Sequence, residues 1–232
     1  MIEKNIAVVT SSIGANHLIN PQKWLQKVDF HAFVDREQVH IGDMWKRHEY
    51  MNFSLDPTYK NRRNAKVYKV LPHLFLPEYE YFIWLDSTHI LEADPDELIE
   101  TYLTKSDIAV FKHPERDCVY EEGNIVKQIG FDHPNLVEDQ LDFYMDMGYP
   151  KHNGLYELPV RIQRNTKKMQ QLGLMWWEQI CMFSSRDQIS FPFVCNQLNI
   201  IPSIIPGRAN TIKGNKFMPQ VVNSHHSRKS NV

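Results

Sequence analysis

The sequence predicts a single α/β domain in which helices cover both faces of a mostly parallel sheet. Three observations support this prediction: short apolar runs alternate with helical patterns, most of these runs are continuously apolar, and each ends at a polar residue. A strand that is covered by helices on both faces shows a continuous apolar run instead of an alternating pattern. The length of 232 residues suits one large domain, and no repeat or Gly/Ser-rich linker marks a boundary. Only the segment from about residue 206 to 232 is expected to be irregular.

Four apolar runs are the predicted central strands, and each leads to a polar residue. They are residues 6–9, followed by Thr10 and Ser11; 30–34, followed by Asp35; 81–85, followed by Asp86; and 108–111, followed shortly by His113. In open α/β sheets, ligands bind beyond the carboxyl ends of the strands, where loops and helix N-termini converge. We therefore expect one edge of the sheet to hold a ligand site formed by Thr10, Ser11, Asp35, Asp86 and His113.

The segment between residues 57 and 77 contains no acidic residue but five lysines and arginines. Arg62, Lys66, Lys69 and His73 follow one another at helical spacing and form one stripe of a predicted helix. A solvated helix face normally mixes charges of both signs, because like charges four residues apart repel each other. A stripe of one sign, in a chain of net charge −2, indicates an anionic ligand such as a nucleotide diphosphate.

Composition argues against several other classes of protein. The chain has 26 Lys and Arg residues against 28 Asp and Glu residues, which leaves no general basic surface for nucleic acid. The three cysteines are too few and too widely spaced for a disulfide framework or a C-x-x-C metal knuckle. No apolar run approaches the ~20 residues of a membrane span, and the first residues do not form a secretory leader. We therefore expect a soluble cytoplasmic protein, a class that includes viral enzymes of the host cytoplasm.

Asp86 is the predicted metal ligand. A carboxylate that directly follows an apolar strand needs a cation or hydrogen-bond donors, because burial disfavours its charge. Its oxygens suit Mg²⁺ or Mn²⁺, and such an ion neutralises a departing diphosphate. Position 88 is Thr, where a second acid would strengthen the site, so the ion requires further ligands. His225 and His226 are the candidates, since imidazole suits Mn²⁺ better than Mg²⁺.

Two helices are predicted in the last third of the chain. The first is indicated by apolar residues at core spacing: Met169, Leu172, Trp176, Ile180 and Phe183. The second is indicated by a capping-box pattern of Ser185 and Gln188, which places Arg186 and Asp187 in its first turn. An acid at that place has an ordinary structural role as well, because a helix N-terminus favours negative charge.

Several motifs occur in an order that resembles a known family. They are NRRNAK (61–66), LPHLFLPEY (71–79), YFIWLD (81–86), HPxR (113–116) with YEE (120–122), GL (154–155), WWE (176–178) and SRDQxSF (185–191). Together they resemble the glycosyltransferase-like domain of plant turgor-regulation and mucilage-related proteins, which has stand-alone bacterial and viral relatives. The resemblance implies a GT-A-like fold with a Rossmann-like nucleotide-binding half, a nucleotide-sugar donor and a divalent cation, normally Mn²⁺.

The function implied is transfer of a hexose-type sugar from a nucleoside-diphosphate sugar, preferentially a UDP-sugar, to a glycan or other hydroxyl acceptor, with retention favoured over inversion. Asp86, with His225 or His226, is expected to bind the metal. Arg62 and Lys66 are expected to bind the diphosphate of the donor. Thr10, Ser11 and Asp35 are expected to bind its base and ribose. The expected catalytic group is Asp187, a carboxylate that faces the sugar, with Arg186 and Gln188 beside it. The sugar or acceptor side is expected to be lined by His113, Arg116 and Glu121.

The sequence departs from the family pattern in two ways. The Asp-x-Asp motif of this fold is reduced to Asp86-x-Thr88, which leaves the number of metal ligands open. Plant members are anchored in Golgi membranes, and no anchor is expected here, so their location is not carried over.

Three other functions stay open. A non-catalytic nucleotide-sugar-binding module would bind the donor without transferring its sugar. A sugar nucleotidyltransferase would carry a basic Gly-rich loop after the first strand, and a metal-dependent phosphoesterase would need more Asp and His ligands at the strand ends.

Overall fold

The computed structural model describes residues 5–14, 19, 28–35 and 41–209, and the backbone of residues 217–219. These residues form nine strands and seven helices. In chain order they are β1 (Ile6–Ser12), β2 (Val28–Val34), β3 (Trp45–Glu49), α1 (Lys60–Val70), α2 (Pro72–Phe75), β4 (Tyr81–Leu85), β5 (His89–Leu91), α3 (Pro95–Tyr102), β6 (Ile108–Lys112), α4 (Val119–Gln128), α5 (Pro134–Asp146), β7 (Tyr156–Arg164), α6 (Lys167–Met182), α7 (Asp187–Gln197), β8 (Ser203–Ile205) and β9 (Phe217–Pro219).

Seven strands form one sheet in the order β3-β2-β1-β4-β7-β6-β8. Neighbouring strands are parallel except where β7 takes part, because β7 runs antiparallel to both β4 and β6. The strands β1, β4 and β6 therefore run in the same direction, and their carboxyl ends lie at the same edge of the sheet. This arrangement confirms the predicted α/β domain with a mostly parallel sheet, and all four predicted strands are present.

Two hydrophobic cores lie on the two faces of the sheet, because successive side chains of a strand point to opposite faces. In β4, Phe82 and Trp84 contact the core that includes residues of α1, α6 and α7. Ile83 and Leu85 contact the core that includes residues of α3. Both faces of the strand are thus covered, which is the physical reason for its continuous apolar sequence.

The predicted basic helix is interrupted after its third turn. α1 ends at Val70, and Leu71 leaves the helical conformation with φ −122° and ψ 44°. The reason is Pro72, which lacks an N–H and disfavours helical angles in the residue before it. His73 therefore lies in α2, where burial lowers its pKa, and the prediction that it continues the basic stripe is wrong.

The strand β9 lies within the segment that the sequence predicts to be irregular. It pairs antiparallel with β5, so that a two-stranded ladder forms apart from the main sheet. The predicted metal ligands His225 and His226 lie outside the described residues.

Candidate functional site

A cleft of about 540 Å³ lies at the carboxyl ends of β1 and β4, beside α1. It forms there because β1 and β4 are parallel neighbours and α1 packs against β1. Its lining residues come from these three segments: Ser11, Ser12, Ile13, Asn61, Arg62, Ala65, Lys66, Trp84, Asp86, Ser87 and Thr88. Four of the predicted site residues therefore meet in one cavity, namely Ser11, Arg62, Lys66 and Asp86. Its volume is within the usual range for small-molecule sites.

Asp86 directly follows β4 and is held through both its backbone and its carboxylate. Its N–H donates to the carbonyl of Pro159 (2.7 Å), which lies in β7 where the register against β6 shifts. The indole N–H of Trp84 donates to Asp86 Oδ1 (2.8 Å). The Asp86 side chain is still 44% exposed. The carboxylate is therefore oriented by the protein and open to a ligand in the cleft.

Two lysines of α1 form an ion cluster with Asp187, the first residue of α7. Lys66 Nζ lies 2.8 Å from Asp187 Oδ1, and Lys69 Nζ lies 2.6 Å from Asp187 Oδ2. Lys69 Nζ also lies 3.8 Å from Asp86 Oδ1, so this lysine connects the two carboxylates. The side chains of Lys66, Lys69 and Asp187 are 16%, 2% and 6% exposed. The basic stripe of α1 is therefore turned inward and is not a solvated helix face.

Burial and charge shift the pKa values of this ion cluster. Burial lowers the pKa of Lys66 to about 8, and the charge of Asp187 opposes that shift. Burial alone would raise the pKa of Asp187, but the two ammonium groups hold it well below its ordinary value. Asp187 is therefore ionised at neutral pH and has no proton to donate. Lys66 is charged at neutral pH and loses its proton on mild alkalinisation.

The start of α7 does not have the predicted capping box. Arg186 is the N-cap residue, and no side chain makes a capping hydrogen bond. The hydroxyl of Ser185 donates instead to Asp132 Oδ2 (2.6 Å), which also accepts from the N–H of Ser185 (2.7 Å). The capping prediction is wrong because a buried carboxylate distant in sequence takes the hydroxyl. Asp187 belongs to the ion cluster, a role that the local pattern does not reveal.

Arg62 and Arg186 lie close together beside the cleft. Arg62 donates to the carbonyl of Phe131, and its guanidinium carbon lies 4.9 Å from the ring centre of Tyr59. Arg186 lies over the ring of Phe131 at 5.1 Å, and its Nη2 donates to Gln188 Oε1 (3.4 Å). Burial, together with the like charge of Arg186, lowers the pKa of Arg62. Arg62 lines the cleft, whereas the predicted residues Arg186 and Gln188 do not.

Thr10 and Ser11 differ in their surroundings because they are successive residues of β1. Ser11 lines the cleft and donates its hydroxyl to the carbonyl of Ala65 in α1 (3.0 Å). Thr10 is fully buried, and its hydroxyl has no hydrogen-bond partner within the part of the chain that the structure describes. The strand continues to Ser12, beyond the apolar run that predicted it. Thr10 is thus an interior strand residue.

Asp35 follows β2 and contacts the backbone just after β1. Its carboxylate accepts a hydrogen bond from the N–H of Gly14, and its carbonyl accepts one from Arg47 (2.6 Å). Gly14 has a φ of +66°, and a Cβ atom at this position would overlap the side chain of Asn61. Because Asn61 lines the cleft, the hydrogen bond from Gly14 to Asp35 lies at the edge of the cleft.

His113, Arg116 and Glu121 lie beyond the carboxyl end of β6, at the same sheet edge as the cleft, but they do not line it. The ring Nδ1 of His113 accepts a hydrogen bond from the N–H of Arg116 (3.0 Å). Arg116 is paired with the buried Glu122, at 2.8 Å between Nη2 and Oε2. Glu121 is exposed, and its Oε1 lies 3.9 Å from Nε2 of His152. The structure therefore groups His113 with Arg116 and separates Glu121 from them.

Arg161 in β7 is a buried cation near the ion cluster that was not predicted as a site residue. Its guanidinium lies 5.1 Å from the ring centre of Trp176 and donates to the carbonyl of Lys69. It lies opposite Trp84 in the register of β4 and β7. Burial lowers the pKa of Arg161 to about 9, and the charge of Asp187 opposes that shift. The sequence contains a signal for this residue, because Arg161 lies between apolar residues of a predicted extended segment. An arginine in such a segment is expected to be buried, and a buried arginine usually has a partner.

Comparison with protein families gives one match that covers most of the chain. The model of the family "TOD1/MUCI70, glycosyltransferase-like domain" matches residues 16–225. Among curated proteins, "Probable hexosyltransferase MUCI70" of Arabidopsis thaliana is 28% identical over 153 residues, which cover 61% of this chain and 26% of that protein. The chain thus spans about a quarter of the length of this curated relative.

Comparison with solved structures gives likenesses at low sequence identity. Mouse xyloside xylosyltransferase 1, in its apo form, has a TM-score of 0.51 and 11% identity, over 88% of this chain and 85% of that one. This likeness shows a shared fold alone. The apo bifunctional glycosyltransferase WbbM has a TM-score of 0.44 and 11% identity, over 89% of this chain and 39% of that one, too low to support an argument. Within the described residues, no helix combines the length and apolar character that crossing a membrane requires.

Proposed function

Because the chain belongs to the TOD1/MUCI70 family of glycosyltransferase-like domains, we propose that it is a glycosyltransferase with a nucleoside-diphosphate sugar as donor. We propose further that it transfers a hexose-type sugar, preferentially from a UDP-sugar, to a hydroxyl group of a glycan or other acceptor. The A. thaliana relative is named as a probable hexosyltransferase, which supports a hexose as the transferred sugar.

The observation that carries this proposal is the excess of positive charge opposite Asp86. Two cations, Arg62 and Lys66, line the cleft against one carboxylate, that of Asp86, and the buried ammonium group of Lys69 lies 3.8 Å from the same carboxylate. The chain as a whole has a net charge of −2, so this excess is local. A site that concentrates positive charge in a partly enclosed cleft favours an anionic ligand such as a diphosphate.

Asp86 fits the divalent cation that the family implies. Its contacts with Trp84 and Lys69 are both made by Oδ1, which leaves Oδ2 available to a cation. Binding through one carboxylate and the phosphates of a substrate is a common mode for Mg²⁺ and, by analogy of ligand preference, for Mn²⁺. Such an ion supplies positive charge to the departing diphosphate. His225 and His226 stay proposed as further ligands.

Lys66 and Arg62 are proposed to contact the diphosphate, since both line the cleft. The ion pair with Asp187 fixes the Lys66 ammonium group before the donor binds, and a preorganised charge costs little reorganisation during reaction. Asp187 itself is buried behind the two lysines and does not line the cleft. We therefore propose that Asp187 positions Lys66 and Lys69, in place of the direct contact with the sugar that its sequence pattern predicts.

The base and ribose are proposed to lie near Ser11 and near Gly14, whose N–H donates to Asp35. Thr10 supports this wall from inside the sheet, because it is buried. The sugar and acceptor are proposed to lie toward two pairs of residues, and the members of each pair are in contact with each other. These pairs are Arg186 with Gln188, and His113 with Arg116. Glu121 is left out of this set because its carboxylate faces His152.

Retention of anomeric configuration is proposed over inversion. Inversion requires a general base on the face opposite the leaving group. Among the lining residues that the structure describes, Asp86 is the one carboxylate, and it is assigned to the leaving-group side. The anomeric configuration of the product, read by proton NMR, tests this part of the proposal.

The experiment that tests the function combines donor binding with turnover. A panel of UDP- and GDP-sugars with Mn²⁺ is screened by thermal shift and by detection of the free nucleotide. A donor at 100 times its Kd should stabilise the native state by about 2.7 kcal/mol. Asp86→Asn should abolish the Mn²⁺-dependent part of this shift and the release of nucleotide.

The outcomes separate the candidate functions. Stabilisation with nucleotide release supports the glycosyltransferase. Stabilisation without release or transfer, with any acceptor tested, would instead identify a nucleotide-sugar-binding module. If Asp86→Asn keeps the full Mn²⁺-dependent shift, Asp86 is not the metal ligand.

A further inference from the structure

Cys118, Glu121 and His152 place three different metal-ligating groups around one point, among residues that do not line the cleft. The thiol sulfur, a carboxylate oxygen and a ring nitrogen all lie within 4.8 Å of one another. Cys118 is buried, whereas the side chains of Glu121 and His152 are 51% and 58% exposed. We propose that these three side chains bind a zinc ion.

The first two ligands come from the start of α4. Cys118 is the N-cap residue of this helix, and Glu121 lies in its first turn. A spacing of three residues places both side chains on the same face of a helix. Two of the three ligands are therefore brought together by local structure, and only His152 has to be supplied by tertiary packing.

His152 is supplied by the turn between α5 and β7, and this turn is fastened to the start of α4. The N–H of Gly154 donates to the carbonyl of Asp117 (2.9 Å). The hydroxyl of Tyr120 donates to the carbonyl of Tyr149 (2.6 Å). These hydrogen bonds lie on both sides of His152 in the sequence, so its position relative to Cys118 is a fixed feature of the fold.

The ring of His152 is oriented for metal binding. Its Nδ1 lies 2.6 Å from Oδ1 of Asp117, which assigns the ring proton to Nδ1 in the neutral imidazole. Nε2 then carries the lone pair, and it faces Glu121 at 3.9 Å, too far for a hydrogen bond. A carboxylate on one ring nitrogen with a metal on the other is the arrangement that commonly orients histidine at zinc sites.

The set of ligands selects zinc over the hard cations. Thiolate with imidazole and carboxylate suits Zn²⁺, whereas Mg²⁺ and Mn²⁺ prefer oxygen ligands. With zinc bonds of about 2.0–2.3 Å, tetrahedral ligand atoms lie about 3.3–3.8 Å apart. The present spacing requires a contraction of about 1 Å, which the exposed side chains of Glu121 and His152 can provide. A water molecule completes the fourth position.

The zinc ion would connect the start of α4 to the turn that precedes β7. Neither segment contributes a lining residue to the cleft, so zinc should stabilise the native state without changing the affinity for UDP. This inference is independent of the proposed function, and its test needs no enzyme activity.

The test uses the full chain after removal of metals with a chelator. Zinc stoichiometry and affinity are measured by titration, and Co²⁺ is used as a spectroscopic substitute. We expect one zinc ion per chain, thermal stabilisation by Zn²⁺, and a thiolate-to-cobalt charge-transfer band in the near ultraviolet. His152→Ala and Glu121→Gln should each lower zinc affinity by at least about tenfold, and Asp117→Asn by about 10–100-fold.

Matched variants distinguish this site from other metal ligands of the chain. Cys118→Ser should remove the cobalt band, whereas Cys181→Ser, which changes an exposed thiol, should keep it. The same measurements in a His225→Ala/His226→Ala background remove the paired histidines as a source of binding. If Cys118→Ser does not fold, the variants at the exposed positions 121 and 152 still show whether zinc binds at this site. An absent cobalt band, or zinc affinity unchanged by His152→Ala, overturns the proposal.

Discussion

Asp187 pairs with two lysine side chains that have little contact with water. Lys69 is almost completely buried, and Lys66 lines the cleft with a side chain that is only 16% exposed. A buried ammonium group without a counter-charge is costly, because desolvation penalises the charged form. The carboxylate therefore serves both the stability of the fold and the charge of the cleft wall.

Replacing Asp187 by Asn keeps the size of the side chain but removes the carboxylate that pairs with both lysines, so that Lys69 keeps only the more distant Asp86, at 3.8 Å. We expect the free energy of unfolding to fall by about 3–5 kcal/mol, the usual cost of breaking a buried pair. Urea denaturation followed by circular dichroism measures this change. The matched control is Asp139→Asn, an exposed aspartate of α5, which should change stability by less than about 0.5 kcal/mol.

Acidification provides a second measurement on the same pair of proteins. Since the ammonium groups hold the pKa of Asp187 below its ordinary value, its stabilising effect is complete above about pH 4 and is lost as the pH falls further. The Asp187→Asn variant should therefore lose less stability than the wild type between about pH 5 and pH 3. Equal losses in both proteins would contradict the role of the ion cluster.

The pKa of Lys66 predicts the pH dependence of UDP binding. A diphosphate binds the ammonium form, so the affinity should be constant from about pH 7 to pH 8, where the terminal phosphate of UDP is ionised, and fall above pH 8 as the free protein loses this proton. Calorimetric titration with UDP from about pH 6.5 to 9.5 measures the profile. Lys66→Arg keeps its charge over this range and should flatten the alkaline fall. A wild-type profile as flat as that of the arginine variant would remove Lys66 from the donor site.

The residues of the cleft could be predicted from the sequence where they belong to one local pattern. The cations of α1 and the acid after β4 are visible as a one-sign stripe and as the end of an apolar run. The contact between Lys66 and Asp187 is not visible, because the two residues are far apart in the chain and meet only when α6 has packed against both α1 and α7. The local pattern at Ser185 is misleading for the same reason, since its partner Asp132 is also distant.

At the scale of elements, β1, β2, β4 and β6 could be predicted because each is buried on both faces. The strand β3 escapes such a prediction, because it is an edge strand with mostly exposed residues and a polar sequence, WKRHE. The antiparallel direction of β7 also depends on tertiary structure. Periodicity indicates an extended segment around Arg161 but does not give its direction relative to β4.

The close approach of α6 to α1 gives a prediction at this scale. A Cβ atom on Gly173 would overlap the backbone carbonyl of Val70, the last residue of α1. Gly173→Ala should therefore destabilise the protein by about 1–3 kcal/mol through overpacking, although alanine is the better helix former. Chemical denaturation measures the change. Gln171→Ala, at an exposed position of the same helix, is the control and should have little effect. A stabilised Gly173→Ala variant would contradict the close packing.

For the molecule as a whole, one sheet separates two hydrophobic cores, and the cleft depends on both. Each central strand sends alternate side chains to each core, so neither core can lose its packing while the strands stay ordered. The cleft residues are attached to the same strands and to α1, which packs on one face of them. We therefore expect both cores and the cleft to be lost in one cooperative transition.

Substitutions on opposite faces of the sheet test this cooperativity and the prediction of a single domain. Leu98 in α3 and Ile180 in α6 are both fully buried, in different cores. Leu98→Ala and Ile180→Ala should each lower the free energy of unfolding by about 2–5 kcal/mol. Because the cores share the sheet, both variants should shift one transition, with circular dichroism and tryptophan fluorescence coincident. The exposed Leu174→Ala is the control. Two separate transitions, each shifted by one variant, would show that the two faces unfold independently.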